Sequence, residues 1–475
     1  MKKAVKFLLE HGAGGLLLDP GMCKTSITLA AFKILKTEGM SRGMVVFCPL
    51  YPAHTTWPNE VRKWSDFNEL DIVVLHGPKK DRLVREKHDI YMINYEAIPW
   101  LFNRAKVGKA WKYFITDAGK ELLKNVDMVV FDELHNMKNS DTLRFALIKP
   151  WLDKFLRRWG LTGSPASNGL LDLFGQCYVL DGGRTLGKYV THYKSEYFVA
   201  LDQNGWNWAL QKGAEKRIYD RLKPLMLRLD AEDYIKLPRQ MDHYIKFDLP
   251  DKVRKTYDEM EKELLTTLDA QLIVAPNKGS AVTKCRQICS GALYTPTRDP
   301  ITGIGESSSG KDRPWQLVHD CKIELIKSLA EELQGKQLLV AYEYNHDLAR
   351  LLKAFPNTPY IGSGVPLKKG VAIEAAWNRG EIPLLFGQPA SIGVGLNLQG
   401  SNACHIAWFT ITWNQLHYDQ LNRRLRRTGS GAEIVHVYHL AAKNTVEESV
   451  VASLRTKWKT QMDLFNAIKT KKRLS

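Results

Sequence analysis

The stretch that most narrows what this chain can fold into is Leu16-Leu17-Leu18-Asp19-Pro20-Gly21-Met22-Cys23-Lys24-Thr25-Ser26. An apolar run of strand length stops at a Pro-Gly turn, and Lys24-Thr25 then opens a segment, Ser26–Leu35, with helical patterning. This is the layout of a phosphate-binding loop, in which backbone N–H groups converge on a polyanion and the helix dipole adds to the attraction. Gly21, Cys23, Lys24, Thr25 and Ser26 would then surround a nucleotide's phosphates, with Lys24 on the β- and γ-phosphates and Thr25 ligating Mg²⁺. The fit to G-x-x-x-x-G-K-[ST] is imperfect, because Leu18 and Cys23 stand at the two glycine positions. Taken alone, the stretch is equally an incidental strand–turn–helix. A partner carboxylate would decide it.

Met128-Val129-Val130-Phe131-Asp132-Glu133-Leu134-His135 supplies that partner. Four apolar residues without a polar interruption read as a central strand buried on both faces. Two acids at the mouth of such a strand are expensive unless they are used: Asp132 to hold Mg²⁺ through its water shell, Glu133 to polarise the attacking water. An exposed acidic turn is the ordinary alternative for one acid. For an acid pair matched to an upstream Lys-Thr loop, nucleotide hydrolysis, with ATP and Mg²⁺, is the stronger reading. Between the two lie short strands at Met44–Cys48, ending in Pro49, at Asp71–Leu75, and at Ile90–Asn94, followed by Tyr95-Glu96. Strand alternating with helix at this spacing predicts a parallel sheet of βαβ units whose ligands sit at the carboxyl ends of the strands.

Length and charge bound the rest. At 475 residues the chain exceeds one ordinary core, so two large domains are expected. A formal charge of +17 points to a polyanionic partner, nucleic acid ahead of a membrane surface, since no basic amphipathic helix stands out. Excess Lys and Arg serving only solubility is the alternative. The seven cysteines are scattered; Cys285 and Cys289 are one helical turn apart without the His or second Cys pair of a zinc site. A reduced, cytoplasmic protein is the simple expectation. The amino terminus reads as an amphipathic helix without the h-region of a signal peptide, and no run of 18 apolar residues occurs.

The middle, about 185 to 230 and 250 to 290, is patterned as helix with a break at Leu237-Pro238, and Arg298–Pro314 reads as a flexible loop. An α/β rhythm then restarts. Helices are expected at Lys322–Leu333, Leu348–Phe355 and Ala372–Arg379, with strands at Gln337–Tyr342, Pro359–Ile361 and Pro383–Phe386. Ser391–Leu398 carries a glycine-bearing turn. Trp413-Asn414 precedes Gln420-Leu421-Asn422-Arg423-Arg424-Leu425-Arg426-Arg427-Thr428-Gly429. Arg424 and Arg427, three apart on one face of an expected helix, are suited to bidentate phosphate recognition; a solvated basic face is the alternative. The basic tail, with Arg455, Lys457, Lys459, Lys469, Lys471, Lys472 and Arg473, is either a solvated end or a DNA contact.

Trp159-Gly160-Leu161-Thr162-Gly163-Ser164-Pro165 closes a further strand. The order Lys-Thr loop, Cys-Pro strand, Asp-Glu-Leu-His strand and Thr-Gly-Ser-Pro turn resembles the superfamily-two helicases. Pro49…Trp57…Glu60…Trp64, Tyr95-Glu96, and Asn168 with Leu171-Asp172-Leu173 make the chain most similar to their Swi/Snf-type DNA translocases, among small bacteriophage and prokaryotic members. The resemblance runs from Gly14 to about Glu448. It implies two RecA-like lobes, parallel sheets flanked by helices with a cleft between them: residues 1–235, and 236–475 with a helical insertion near 250–290 that grips duplex DNA. It casts Lys24, Asp132, Glu133, Arg424 and Arg427 as catalytic, with Arg427 favoured as the arginine finger, and adds Gly395 and Gln420 to the nucleotide contacts. Pro49, Tyr95, Thr162, Ser164, Gly393 and Asn397 would hold DNA phosphates by backbone amides and hydroxyls, without reading sequence. A monomer that moves on double-stranded DNA, with no membrane association, is the implied function. A strand-separating helicase acting on single-stranded DNA or RNA, and a hydrolysis-deficient DNA clamp, stay open as alternatives. Three departures from the family stand out: Cys23 for the last loop glycine, Thr410 for an aspartate before Trp413-Asn414, and only about ten residues ahead of the first lobe's strand, whereas the family's adenine-contacting glutamine motif lies further upstream, which leaves base specificity open.

Overall fold

The computed structural model describes residues 1–454 and 456, except 168, 203, 204, 206, 235, 236, 271–277, 296–312, 394 and 428; for residues 232, 263–270 and 278–281 it describes the backbone alone. The chain divides into two compact units, Met1–Lys236 and Leu237–Thr456. Asn168, most of the Arg298–Pro314 loop and the basic tail, 455 and 457–475, lie outside the described residues.

The first unit is built on a seven-stranded sheet in the order Met226–Leu229, Ala13–Leu18, Arg157–Thr162, Met128–Asp132, Met44–Cys48, Ile90–Asn94, Ile72–Val74. Every pairing in it is parallel. Helices cover both faces, which explains the apolar runs. Met128 and Val130 pack into one core with Leu16, Val46 and Trp159, while Val129 and Phe131 pack into the other with Leu17, Val45 and Phe47. Parallel strands bring the segments after 18, 48, 94, 132 and 162 to one edge of the sheet. Close approach of the layers needs small residues: a Cβ on Gly160 would meet Leu134 at 2.6 Å, and one on Gly175 the carbonyl of Met137 at 2.2 Å.

The second unit carries a six-stranded parallel sheet in the order Arg239–Phe247, Ile434–Ala442, His405–Trp408, Leu338–Ala341, Leu384–Gly387, Tyr360–Ile361. Helices Cys321–Glu332, Asn345–Ala354 and Leu367–Asn378 connect its strands. The helical pair Asp251–Ala270 and Lys278–Ser290 packs through Val253, Tyr257, Cys285, Ile288 and Cys289 onto Leu249 and Ala442. Parallel sheets flanked by helices make both units RecA-like lobes.

Three segments differ from the sequence patterning. Residues 185–230 are not continuous helix: Val190–Tyr197 and Ala214–Leu222 are helices, but Phe198–Ala200 and Trp208–Leu210 form an antiparallel pair. Met226–Leu229 joins the main sheet beside Ala13–Leu18. There Gly15 makes room, since a Cβ would lie 2.2 Å from the Met226 sulfur. Residues 239–247 form an edge strand, and 102–115 form a hairpin separate from the main sheet.

Candidate functional site

The loop after Leu18 turns on two left-handed residues, Gly21 (φ 87°) and Cys23 (φ 53°, ψ 36°). Glycine takes such angles without cost, whereas a Cβ there costs about 1–2 kcal/mol. Cys23 is therefore strained as well as exposed. It sits at the N-cap of helix Lys24–Thr37, whose first amides have no intrahelical partner. Lys24 folds back over the loop, its Nζ donating to the carbonyls of Leu18 (2.9 Å) and Asp19 (3.2 Å). The Thr25 hydroxyl makes no hydrogen bond among the described residues. Ser26 is directed elsewhere: its hydroxyl donates to Glu60 Oε2 at 2.6 Å, which also accepts from Trp64 Nε1 at 2.9 Å. The loop is fixed from outside by a buried ion pair. Arg228 Nη2 lies 3.0 Å from both Asp19 oxygens, Arg228 Nη1 donates to Leu17 O, and the Ala231 amide donates to Asp19.

Asp132 ends a neighbouring strand and is only 9% exposed. Its Oδ2 accepts from the buried Trp57 indole at 2.9 Å, its Oδ1 from the Glu133 amide at 3.1 Å, and its carbonyl from Tyr95 OH at 2.9 Å. Burial first, then the charge of Glu133, push its carboxyl up to about 6; the Trp57 hydrogen bond and the Lys24 charge oppose the shift. Glu133 adopts φ 56°, ψ 58°, which turns the chain off the strand. His135 Nδ1 lies 3.3 Å from Glu133 Oε2 and 3.4 Å from Thr162 Oγ1, and Thr162 Oγ1 accepts from the Ser164 amide. A polar chain thus joins the acid pair to the Thr-Gly-Ser-Pro turn. The structure brings Lys24, Asp132, Glu133 and Thr162 to one sheet edge. A carboxylate kept costly by burial, beside a lysine-bearing loop, fits a site that receives Mg²⁺ with a polyphosphate.

The residues expected to meet DNA in this lobe are mostly inward. Tyr95 is buried, with its hydroxyl occupied by Asp132; Thr162 and Ser164 are buried; Pro49 is half-buried ahead of helix Leu50–His54. Three residues that sequence reasoning left without a role in the site emerge: Trp57, which holds Asp132, and the Asp19–Arg228 pair, which holds the loop. The Trp57 spacing was visible, but its partner 75 residues away was not.

In the second lobe the helix expected across the arginines stops at Asn422. Arg424 to Arg427 continue as turn and bend, and their guanidinium groups reach oxygens outside the helix. Arg424, 6% exposed, donates to Leu396 O at 2.7 Å and Gly393 O at 2.6 Å, and Arg426 donates to Pro238 O at 2.8 Å. Arg427 Nη1 donates to Asn397 Oδ1. Gln420 packs on Gly393, where a Cβ would lie 3.0 Å from its Oε1, and Gly395 takes φ 82°. Residues assigned to nucleotide and to DNA therefore form one cluster in this lobe. Nearby, Thr410 acquires a reason. Its hydroxyl donates to Asp347 Oδ2 at 2.9 Å, in a fully buried site also served by Ser290 and the Glu343 and Tyr344 amides. An aspartate at 410 would set two buried carboxylates in contact.

Residues 2–292 match the SNF2-related domain. A protein of Acyrthosiphon pisum secondary endosymbiont phage 1, described as putative protein p41, is 32% identical over 98% of this chain and 97% of its own length. An uncharacterized ATP-dependent helicase of Mycoplasma genitalium is 23% identical over 94% of this chain, which spans 40% of that protein. The Sulfolobus solfataricus SWI2/SNF2 ATPase core, solved in complex with dsDNA, is 21% identical, with 98% of this chain and 95% of that chain covered at a TM-score of 0.41. With a domain match over more than half its length and a full-length relative above 30% identity, the chain belongs to the SNF2-related family, the Swi/Snf-type ATPases of helicase superfamily two.

Proposed function

We propose that this chain is a DNA-stimulated ATPase that moves along duplex DNA without needing to separate its strands. The observation that carries the reading is the juxtaposition of the Lys24 loop with the buried, charge-strained Asp132–Glu133 pair at one edge of a parallel sheet. Lys24 and the amides at the start of its helix hold the phosphates of ATP. Thr25 and Asp132 would hold Mg²⁺, which would supply charge neutralisation to the phosphates. Glu133 orients and deprotonates the attacking water. Arg427, in the second lobe, is the arginine finger, a contribution of roughly 10³–10⁵ in rate in enzymes that use one. Arg424 is a positioning residue: buried on the carbonyls of Gly393 and Leu396, it ties the arginine segment to the loop proposed to hold DNA phosphates. Movement of one then moves the other, which is the coupling a translocase requires. The net charge of +17 supports the polyanionic track.

Displacement of the third strand from a triplex tests translocation directly. ATP-dependent release of that strand, with the underlying duplex left paired, is the expected result. ATP hydrolysis on the same DNA without release would reject translocation, and release accompanied by duplex unwinding would identify a strand-separating helicase.

A further inference from the structure

The hairpin Phe102–Val107 and Ala110–Ile115 takes no part in either site described above. The chain reaches it from the carboxyl end of Ile90–Asn94 through the short turns Tyr95–Ala97 and Ile98–Leu101, so it leaves the sheet at the edge that carries the nucleotide site. Its foot is anchored. Phe102 is buried and stacks on Trp151 at 6.2 Å, and Thr116 Oγ1 donates to Trp100 O at 2.6 Å and Leu101 O at 3.0 Å. Above the foot most of its side chains are bare: Phe114 is 41% exposed, and nearer the tip Trp111 is 49% and Val107 61% exposed. Residues 102–115 contain Arg104, Lys106, Lys109 and Lys112 and no acid. None of the four forms an ion pair among the described residues. The register sets Lys106 opposite Trp111 and Ala105 opposite Lys112, and the Arg104 guanidinium lies 4.2 Å from the centre of the Trp111 ring. Cations and rings therefore alternate over both faces of a rigidly rooted projection.

Among the described residues, the gain this arrangement gives the fold is the Arg104–Trp111 stack, and it does not account for the exposed Phe114 or for Lys106, Lys109 and Lys112. Both features are satisfied together by an unpaired polynucleotide, with its phosphates on the cations and its bases stacked on the rings. A duplex offers the phosphates alone, because its base faces are already stacked. We propose that this hairpin binds unpaired nucleotides beside the duplex, so that the protein recognises a junction between single- and double-stranded DNA. The inference rests on the reading of the chain as a DNA motor and adds the DNA structure on which that motor is retained.

Fluorescence anisotropy with the full chain and two DNAs, a blunt duplex and the same duplex with a single-stranded tail, tests it. The unaltered protein should bind the tailed DNA about tenfold more tightly or better, the range one or two stacked bases provide. Trp111→Ala, or Phe114→Ala on the opposite face, should remove roughly 5- to 100-fold of affinity for the tailed DNA and move blunt-duplex affinity far less. Joint Lys106→Ala, Lys109→Ala and Lys112→Ala should lower the salt slope of tailed-DNA binding by about 2. Thermal unfolding confirms that each variant retains the fold. Equal affinity of the unaltered protein for both DNAs, or a tail preference that survives in Trp111→Ala and Phe114→Ala, overturns the proposal and leaves duplex-stimulated hydrolysis untouched. Failure to bind either DNA overturns this proposal and the motor reading together.

Discussion

Asp132→Asn should make the protein more stable while ending its catalysis. The carboxyl is held at about 6 in the fold against 3.8 for a free aspartate, chiefly by burial. At about 1.4 kcal/mol per pKa unit, ionised Asp132 costs the ligand-free fold about 3 kcal/mol at pH 7. The sign follows from a folded pKa above the unfolded one. The folded state binds the proton more tightly, so the cost is full above about 6, shrinks as pH falls toward 3.8, and is about half gone at pH 5. Asparagine carries no charge at any of these values and can still accept from the Trp57 indole, but its NH₂ cannot accept from the Glu133 amide, and that lost hydrogen bond costs about 1 kcal/mol. For a unit of this size, the remaining gain of about 2 kcal/mol corresponds to a rise in Tm of roughly 4–8 °C. The assay is thermal unfolding of both proteins without nucleotide or Mg²⁺ at pH 7.5 and pH 5, beside steady-state ATP hydrolysis. An unchanged or lower Tm at pH 7.5, or a gain equally large at pH 5, would refute the reasoning, because Asp132 would then not be a charge held at a cost for a cation.

Glu133→Gln should bind a fluorescent ATP analogue normally and lose at least a hundredfold in turnover; near-normal hydrolysis would reject Glu133 as the base. Alkylation of the exposed Cys23 thiol should slow hydrolysis, with ATP protecting; full activity after complete modification, verified by mass spectrometry, would place the thiol away from the phosphates. Cys23→Gly should relieve about 1 kcal/mol of left-handed strain, and a lower Tm would contradict that. Thr410→Asp should destabilise the second lobe by roughly 3 kcal/mol or more in thermal unfolding, since burial already pushes Asp347 up and only its hydrogen bonds and His346 hold it at about 2; an unaltered Tm would remove the account of that departure.

What could be read from the chain beforehand was what burial dictates. Met44–Cys48 and Ile90–Asn94 have the boundaries their apolar runs predict, because the interior of a strand covered on both faces disfavours polar residues. The acid pair and the lysine loop were legible because each breaks its local pattern at a strand end. Edges were not. Met226–Leu229 is an outer strand interrupted by Arg228, and Arg239–Phe247 exposes Arg239, Asp242 and Lys246 along its length, so neither shows a continuous apolar run. The hairpin mixes cations with rings at every second or third position, a pattern that belongs to a surface rather than a core. Partners far apart in sequence were equally hidden. Nothing near Arg424 indicates that it is buried on Gly393 and Leu396, and nothing near Asp19 names Arg228.

The most direct test of the central claim is steady-state ATP hydrolysis by the full chain alone, with double-stranded DNA, with single-stranded DNA and with RNA. Stimulation by the duplex, exceeding that by either single strand, is the predicted result. Stimulation by single-stranded DNA or RNA alone, or no hydrolysis under any of the four conditions, would contradict it.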